Sequence, residues 1–312
     1  MLGCGYWGRN LVRNFAALGA LEAVHDPDPE RAAEEGATYG VPALSLQDVL
    51  SSTSIDAVAI SAPAAQHADL ARQVLRAGKD VFVEKPLALR LEDAEELCHL
   101  AEGADRILMV GHLLQYHPAY LELARMVEAD ELGKLQYLYS NRLNLGRFRR
   151  EENIWWSFAP HDISMILALA GEEPETVHAT GSSYLNEDIA DVTTTNLHFG
   201  NGINAHIFVS WLHPYKDQKL VVVGERGMAV FDDTQEWADK LVLYRHHVDW
   251  DTGVPQPVRS NAESVPLSES EPLEMECRHF LECVAQHVQP RTDGREGLRV
   301  LRVLDRAQRS MS

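Results

Sequence analysis

The chain opens MLGCGYWGRN, and Gly3, Gly5 and Gly8 in that stretch spell G-x-G-x-x-G. No other feature of the 312 residues restricts the fold as much. Such a loop turns from a buried strand into a helix. Its first glycine permits the tight turn, its second lets a pyrophosphate approach the backbone, and its third lets the helix pack closely. The helix N-terminus adds N–H donors and partial positive charge. A helix pattern does follow, with Leu11, Phe15 and Leu18 at i, i+4 and i+7, and then the short strand-like run LEAVHD. Asp26 closes that run 18 residues after Gly8, where a carboxylate meets the adenosine ribose hydroxyls and opposes a 2′-phosphate. NAD is therefore expected over NADP. Only Met1 and Leu2 precede the first glycine, whereas a doubly wound sheet needs a central strand there. Three residues are too few, and the natural product is expected to start about five to eight residues upstream with an apolar, β-branched run.

Up to about residue 113 the pattern is βαβ. IDAVAIS (55 to 61), DVFVE (80 to 84) and RILMVG (106 to 111) are nearly continuous apolar runs, as strands buried on both faces require, and LEDAEELCHLAE between them is helical. After residue 114 the period changes. A helix over Pro118 to Ala129 precedes LQYLYSNRLNL, and Ile203, Ala205, Ile207, Val209 and Trp211 then alternate along one strand face. Asn201-Gly202 and the GERG stretch at 224 to 227 are hairpin signals. Residues 251 to 272 read as a loop, and two amphipathic helices close the chain. The expected fold is α/β: a Rossmann-like, doubly wound parallel sheet over 1–113, its first strand cut short, that binds the dinucleotide. A C-terminal α+β domain over 114–312 follows, with an open, largely antiparallel sheet for substrate binding and oligomerisation. An uncovered apolar sheet face of this breadth implies a homodimer or homotetramer.

A net charge of -19 gives no general attraction to phosphate backbones or anionic lipid, so neither nucleic acid nor a membrane is expected as a partner. No basic-then-apolar leader and no run of about 18 apolar residues is present, which reads as a cytoplasmic chain. Cys4, Cys98, Cys277 and Cys283 lack metal-ligand spacing, and they are expected as reduced thiols with no metal.

Glu84-Lys85-Pro86 follows DVFVE at a carboxyl-terminal strand edge, where ligands of open α/β sheets collect. A lysine there can meet nicotinamide and substrate. GCGYWG, ISAPAAQH, VEKPLA and WWSFAPHDIS together resemble the glucose-fructose oxidoreductase, inositol dehydrogenase and MocA family over essentially the whole chain. The resemblance implies a catalytic Lys85 and a catalytic His161. It implies cofactor contacts from Gly3, Gly5, Tyr6, Trp7 and Gly8, from Ser61, Pro63 and His67, and from Glu84, Lys85, Pro86 and Gln115. In many relatives an aspartate stands four positions before the histidine; here that position is Ser157, and Asp162 follows the histidine directly.

Helical spacing in HDISMILALA, with Ile163, Ile166, Leu167 and Ala170 buried, sets His161 near a helix N-terminus, which disfavours imidazolium and keeps the ring available as a base. Tyr116, His117, Asn144 and Asp162 are expected in the substrate pocket. Trp155 and Trp156 either cover the nicotinamide or fill core. Arg142, Arg147, Arg149 and Arg150 suit a diphosphate, since guanidinium groups bind phosphate oxygens bidentately. For Arg149 and Arg150 the plainer alternative is a solvated loop paired with Glu151 and Glu152, so Arg142 is the better pocket candidate. The match from GCGYWGRNLVRNF through SNRLNLG to WSFAPHDIS resembles the branch containing UDP-N-acetylglucosamine 3-dehydrogenases. It implies oxidation of carbon 3 of a UDP-N-acetyl-hexosamine. Dehydrogenation or keto-reduction of a free sugar or inositol, and an NAD-binding regulatory protein without turnover, are the alternatives.

Overall fold

A computed structural model describes residues 1–146, 148, 149 and 152–311. The chain forms two compact units, Met1–Tyr116 with Glu271–Arg302, and His117–Ser270 with the residues from Val303 onward.

In the first unit the order is α1 (Gly8–Ala17), α2 (Pro29–Tyr39), α3 (Leu46–Ser51), β1 (Ala57–Ile60), α4 (Ala64–Arg76), β2 (Asp80–Glu84), α5 (Leu91–Ala104) and β3 (Leu108–Gly111). The three strands form a parallel sheet in that order, with Ala57 opposite Asp80 and Val81 opposite Leu108. The place before the first glycine is taken by Met1 to Gly3. Leu2 N–H donates to Ala59 O at 2.7 Å and Leu2 O accepts from Ser61 N–H at 2.8 Å. On the other side Gly3 N–H donates to His25 O and His25 N–H to Met1 O, both at 2.8 Å. Three residues thus give partners to Ala59 O and Ser61 N–H on one flank and to both backbone groups of His25 on the other, through isolated bridges rather than a full strand.

The core of this unit is a trio of phenylalanines in edge contact. Phe15 and Phe82 have ring centroids 6.5 Å apart, and Phe280 lies 6.3 and 5.8 Å from them. Phe280 belongs to α8 (Pro272–Gln286), which buries Leu273, Cys277, Phe280 and Cys283. The chain therefore returns to its first unit, whereas a boundary at residue 113 assigns all of 114–312 to the second. An amphipathic pattern announces a helix but not which core receives it.

The second unit begins with α6 (Pro118–Glu128), β4 (Leu135–Leu143) and α7 (Ile154–Ala170). Six strands then follow: β5 (Thr176–Ser182), β6 (Val192–His198), β7 (Asn204–Ser210), β8 (Asp217–Gly224), β9 (Met228–Asp232) and β10 (Leu241–Tyr244). The expected hairpins join β6 to β7, with Gly202 at φ +91°, and β8 to β9. Ile203, Ala205, Ile207, Val209 and Trp211 are all buried. With β13 (Ala262–Ser264) at one edge, the eight-stranded sheet runs β13-β10-β9-β8-β4-β7-β6-β5, antiparallel except where β4 meets β7.

The stretch read as loop holds β12 (Gln256–Val258), paired with β11 (His247–Asp249), and β13 (Ala262–Ser264) on the edge of β10. Three residues are too few to show a period. The last helix is α9 (Gly294–Ser310). One sheet face packs under α7; the opposite face carries half-buried Tyr137, Tyr139, His206 and Phe208. No helix among the described residues is long and apolar enough to cross a membrane, and the four cysteines are free and buried.

Candidate functional site

The glycine loop has the geometry of an anion cradle. Gly3 sits at φ +90°, and a Cβ there would stand 2.6 Å from Ser61 O; one on Gly8 would stand 2.1 Å from Gly3 O. A Cβ on Gly5 would meet nothing within 4 Å, so this backbone alone is open to an incoming group. Helix α1 starts there with no side-chain cap and no acidic residue in its first turn, leaving N–H donors and positive helix charge for a ligand. Tyr6 is exposed and Trp7 partly so.

Asp26 stands at the expected strand end, buried. Its carboxylate accepts from Cys4 N–H at 2.7 Å, Asp28 N–H at 2.9 Å and the Arg31 guanidinium at 3.1 Å. Burial pushes its pKa up, but these three donors outweigh burial and hold it below the usual range, so Asp26 is an anion at neutral pH. Arg31 was not anticipated; its signal in the sequence was its place in the first turn of the helix after DPDP. An open Gly5, a bare helix N-terminus and an ionised Asp26 fit a dinucleotide.

Lys85 is half-buried on the turn after β2, and the Lys85–Pro86 peptide is cis. Pro86 is buried beneath it. Glu84 is buried and accepts from the Trp7 indole N–H and from Lys85 N–H at 3.2 Å. Ser61 and Pro63 lie on the turn from β1 to α4, Pro63 as the residue before the helix.

Other expected cofactor and substrate contacts are directed inward. His67 is buried, with Nδ1 2.7 Å from Pro86 O and Nε2 2.8 Å from Ala62 O. Two carbonyl partners favour its charged form, yet burial is larger and holds its pKa below the usual value. The ring staples the Ala62 turn to the Lys85–Pro86 turn, with both ring nitrogens committed to backbone carbonyls. Gln115 is buried and donates to Glu296 at 3.0 Å, so its amide is committed to protein. Tyr116 is also buried, with its hydroxyl 2.9 Å from Thr292 Oγ1. Both sit on a short turn held by the helices that return from the C-terminal part of the chain, partners that local sequence does not reveal.

In the second unit, α7 begins at Ile154, where Asn153 caps Trp156 N–H at 3.2 Å, and the helix runs through Pro160. His161 is therefore mid-helix and half-buried, not at the N-terminus. Helical spacing in HDISMILALA points to a start at His161, but Asn153 supplies the start two turns earlier. The argument from positive helix charge falls with it, because that effect is confined to the first turn.

Ile163, Ile166, Leu167 and Ala170 are buried as expected. Asp162 is 1% exposed and accepts from Ser140 Oγ, from Arg142 Nε at 2.7 Å and from Arg142 Nη2 at 3.2 Å. Arg142 is itself buried, and the guanidinium edge expected for a diphosphate is occupied by Asp162. The pair pins α7 to β4. His117 is buried, stacks on Trp237 at 5.4 Å and accepts from Ala119 N–H at 3.1 Å, so its ring is held by protein. Trp155 is fully buried, donating to Leu304 O at 3.1 Å, and so fills core; Trp156 is half-buried and donates to Gln308 at 3.2 Å. Asn144 is half-buried at the end of β4. Arg149 lies 3.8 Å from Glu152, as a solvated loop would have it, while Arg147, Arg150 and Glu151 lie outside the described residues. No group of three or more metal-ligating side chains occurs among the described residues.

The family model for the oxidoreductase family with an NAD-binding Rossmann fold matches residues 1–112, and that for the GFO/IDH/MocA C-terminal domain matches residues 120–230. UDP-N-acetylglucosamine 3-dehydrogenase of Acidithiobacillus ferrooxidans is 30% identical over 314 residues, which cover 96% of this chain and 93% of that protein. Its solved structure superposes with a TM-score of 0.88 at 28% identity, covering 99% of this chain and 95% of the other. Inositol 2-dehydrogenase of Rhizobium meliloti is 24% identical, covering 100% of this chain and 96% of that protein.

Proposed function

The chain belongs to the GFO/IDH/MocA family of NAD-binding oxidoreductases, and from that premise we propose that it oxidises a hydroxyl of a nucleotide sugar, carbon 3 of a UDP-N-acetyl-hexosamine, to a ketone. The observation that carries this reading is the match to UDP-N-acetylglucosamine 3-dehydrogenase along nearly the full length of both chains. NAD, when bound, accepts the hydride. Lys85 stabilises the developing alkoxide and His161 takes the hydroxyl proton. The reverse assignment, with the lysine as base and the histidine orienting substrate, is the nearest variant. The apolar sheet face bearing Tyr137, Tyr139, His206 and Phe208 is the surface for a second copy of the chain, giving a dimer or tetramer.

One observation favours a second reading. The arginine best suited to a diphosphate, Arg142, is consumed by Asp162, and an uncharged cyclic polyol needs no such clamp. NADH formation by the purified chain with UDP-N-acetylglucosamine, N-acetylglucosamine and myo-inositol separates the two. A kcat/KM for the UDP-sugar at least about 100-fold above the others, the scale of about 3 kcal/mol of phosphate contacts, is expected. Preference for inositol would establish the polyol reading instead.

A further inference from the structure

Glu276 lies on the inward face of α8, fully buried, with neither carboxyl oxygen bonded to any described residue. An ionised carboxylate without donors is strongly penalised there, so burial favours keeping its proton. Periodicity decides what faces it. Phe82 on β2 and Phe280 on α8 meet with ring centroids 5.8 Å apart. Glu84 is two residues beyond Phe82 on the same strand face, and Glu276 is one helical turn before Phe280 on the same helix face. One compartment thus receives both carboxyls.

The two are not equivalent. Glu84 has N–H donors, from the Trp7 indole and the Lys85 backbone, and Gly111 makes room for it, since a Cβ there would come within 3.2 Å of Glu84 Cδ and Oε2. Glu276 has no donor.

We propose that Glu84 and Glu276 act as one acid pair that holds a single proton, with Glu276 its neutral member. The pair sets the charge felt by Lys85, so Glu276 is a positioning residue for that lysine without touching substrate. Burial, and after it the charge of Glu84, pushes Glu276 well above the usual carboxylate range. Burial raises Glu84 as well, against the pull of Trp7 and Lys85. Among the described residues, the other charged or titratable groups around the compartment are Lys85, His112 with its partner Glu296 at 2.6 Å, Tyr116 with Arg291 beyond it, and Cys277 with Glu271 and Arg13 beyond it. Burial drives the Tyr116 and Cys277 groups upward, so neither gains charge near neutrality. The link to Lys85 rests on the role given to that lysine above; the proton count does not.

A carboxyl whose folded pKa is raised stabilises most below its unfolded value, near about 4.3, and loses that contribution as pH climbs toward its folded pKa. Thermal unfolding of the full chain and of its Glu276→Gln form across pH tests this. The Gln form gains on the wild type by about 2 °C per pH unit in that window. Glu276→Leu gives the same slope; should it fail to fold, the Gln form carries the test alone.

Reductive methylation of Lys85, followed by mass spectrometry against pH, reads the second part. Without the extra negative charge that the native pair gains in alkali, the Lys85 midpoint falls by about one pH unit in the Gln form. A side chain that merely packs would not move a lysine titration. Parallel melting curves would overturn the shared proton, and an unmoved Lys85 midpoint would overturn the positioning role. If both effects appear while no sugar or polyol is turned over, the acid pair stands and the proposed function fails.

Discussion

The glycine loop and the turn of α7 around His161 each present a short motif at the edge of an apolar element, but the two act by different means. Gly3, Gly5 and Gly8 act through backbone: a positive φ, a helix start, and an opening above Gly5. Those properties follow from the absence of a Cβ, which sequence states outright. Arg142, His161 and Asp162 act through side chains whose destination depends on a strand and a helix meeting. There the expected diphosphate ligand became the partner of the residue beside the histidine. Motifs that act through backbone conformation survive translation into structure better than motifs that act through charge.

The largest effects should come from the two side chains given chemical roles, Lys85 after β2 and His161 in α7. Lys85→Ala and His161→Ala should each lower turnover by about two to four orders of magnitude while leaving NAD affinity nearly unchanged. Steady-state rates beside NAD titrations check this. Near-normal turnover in His161→Ala would return that histidine to a packing role and widen the difference between the regions.

Next in size is Asp162→Ala. It strands the buried Arg142 charge and should cost about 3–5 kcal/mol of stability, read from chemical denaturation. A loss under about 1 kcal/mol would mean that Arg142 is free to serve substrate after all, and the charge motif would have been legible.

Within the loop, Gly8→Ala should cost about 2–4 kcal/mol, because its Cβ would collide with Gly3 O and only backbone can move. Gly5→Ala should leave stability within about 0.5 kcal/mol and weaken NAD. Equal stability losses for the two would dissolve the division of labour among the glycines.

The smallest effect concerns cofactor choice. NAD should bind better than NADP, and Asp26→Asn should narrow the gap by about tenfold or less, whereas Arg31→Ala should widen it by removing the cation beside the carboxylate. Asp26 also has a depressed folded pKa, so it stabilises above the unfolded carboxylate value and that contribution disappears as pH falls through the folded one. Acid unfolding of Asp26→Asn should accordingly be flatter than that of the native chain. Identical NAD and NADP affinities in the unmodified protein would remove the ribose role of Asp26.

How much could be read in advance follows the same division. β2 was read to its residue, DVFVE, because a parallel strand buried on both faces is a plain apolar run. The Asn201-Gly202 hairpin was equally open, since both residues accept positive φ. The inward turn of His67, Gln115 and Tyr116 was hidden because Pro86 O, Glu296 and Thr292 lie 19, 181 and 176 positions away. The start of α7 was misplaced because the apolar spacing is plain only from His161 onward, while the true cap, Asn153, stands before an aromatic stretch without that spacing. Glu276 left a signal that went unused: in a helix burying Leu273, Cys277 and Phe280, its position falls on the inward stripe.

The return of Glu271–Arg302 to the first unit also bears on how the chain is made. A ribosome synthesises residues 1 to 116 early, but the face of the core that Phe280 completes follows about 150 residues later. At about 5–20 residues per second, that interval lasts roughly 8–30 s. Through it Phe15 and Phe82 have no helix to cover them, and the nascent dinucleotide unit carries an apolar surface on which chaperones and neighbouring nascent chains compete. Its high contact order places the slow step of folding after synthesis of the second unit rather than before.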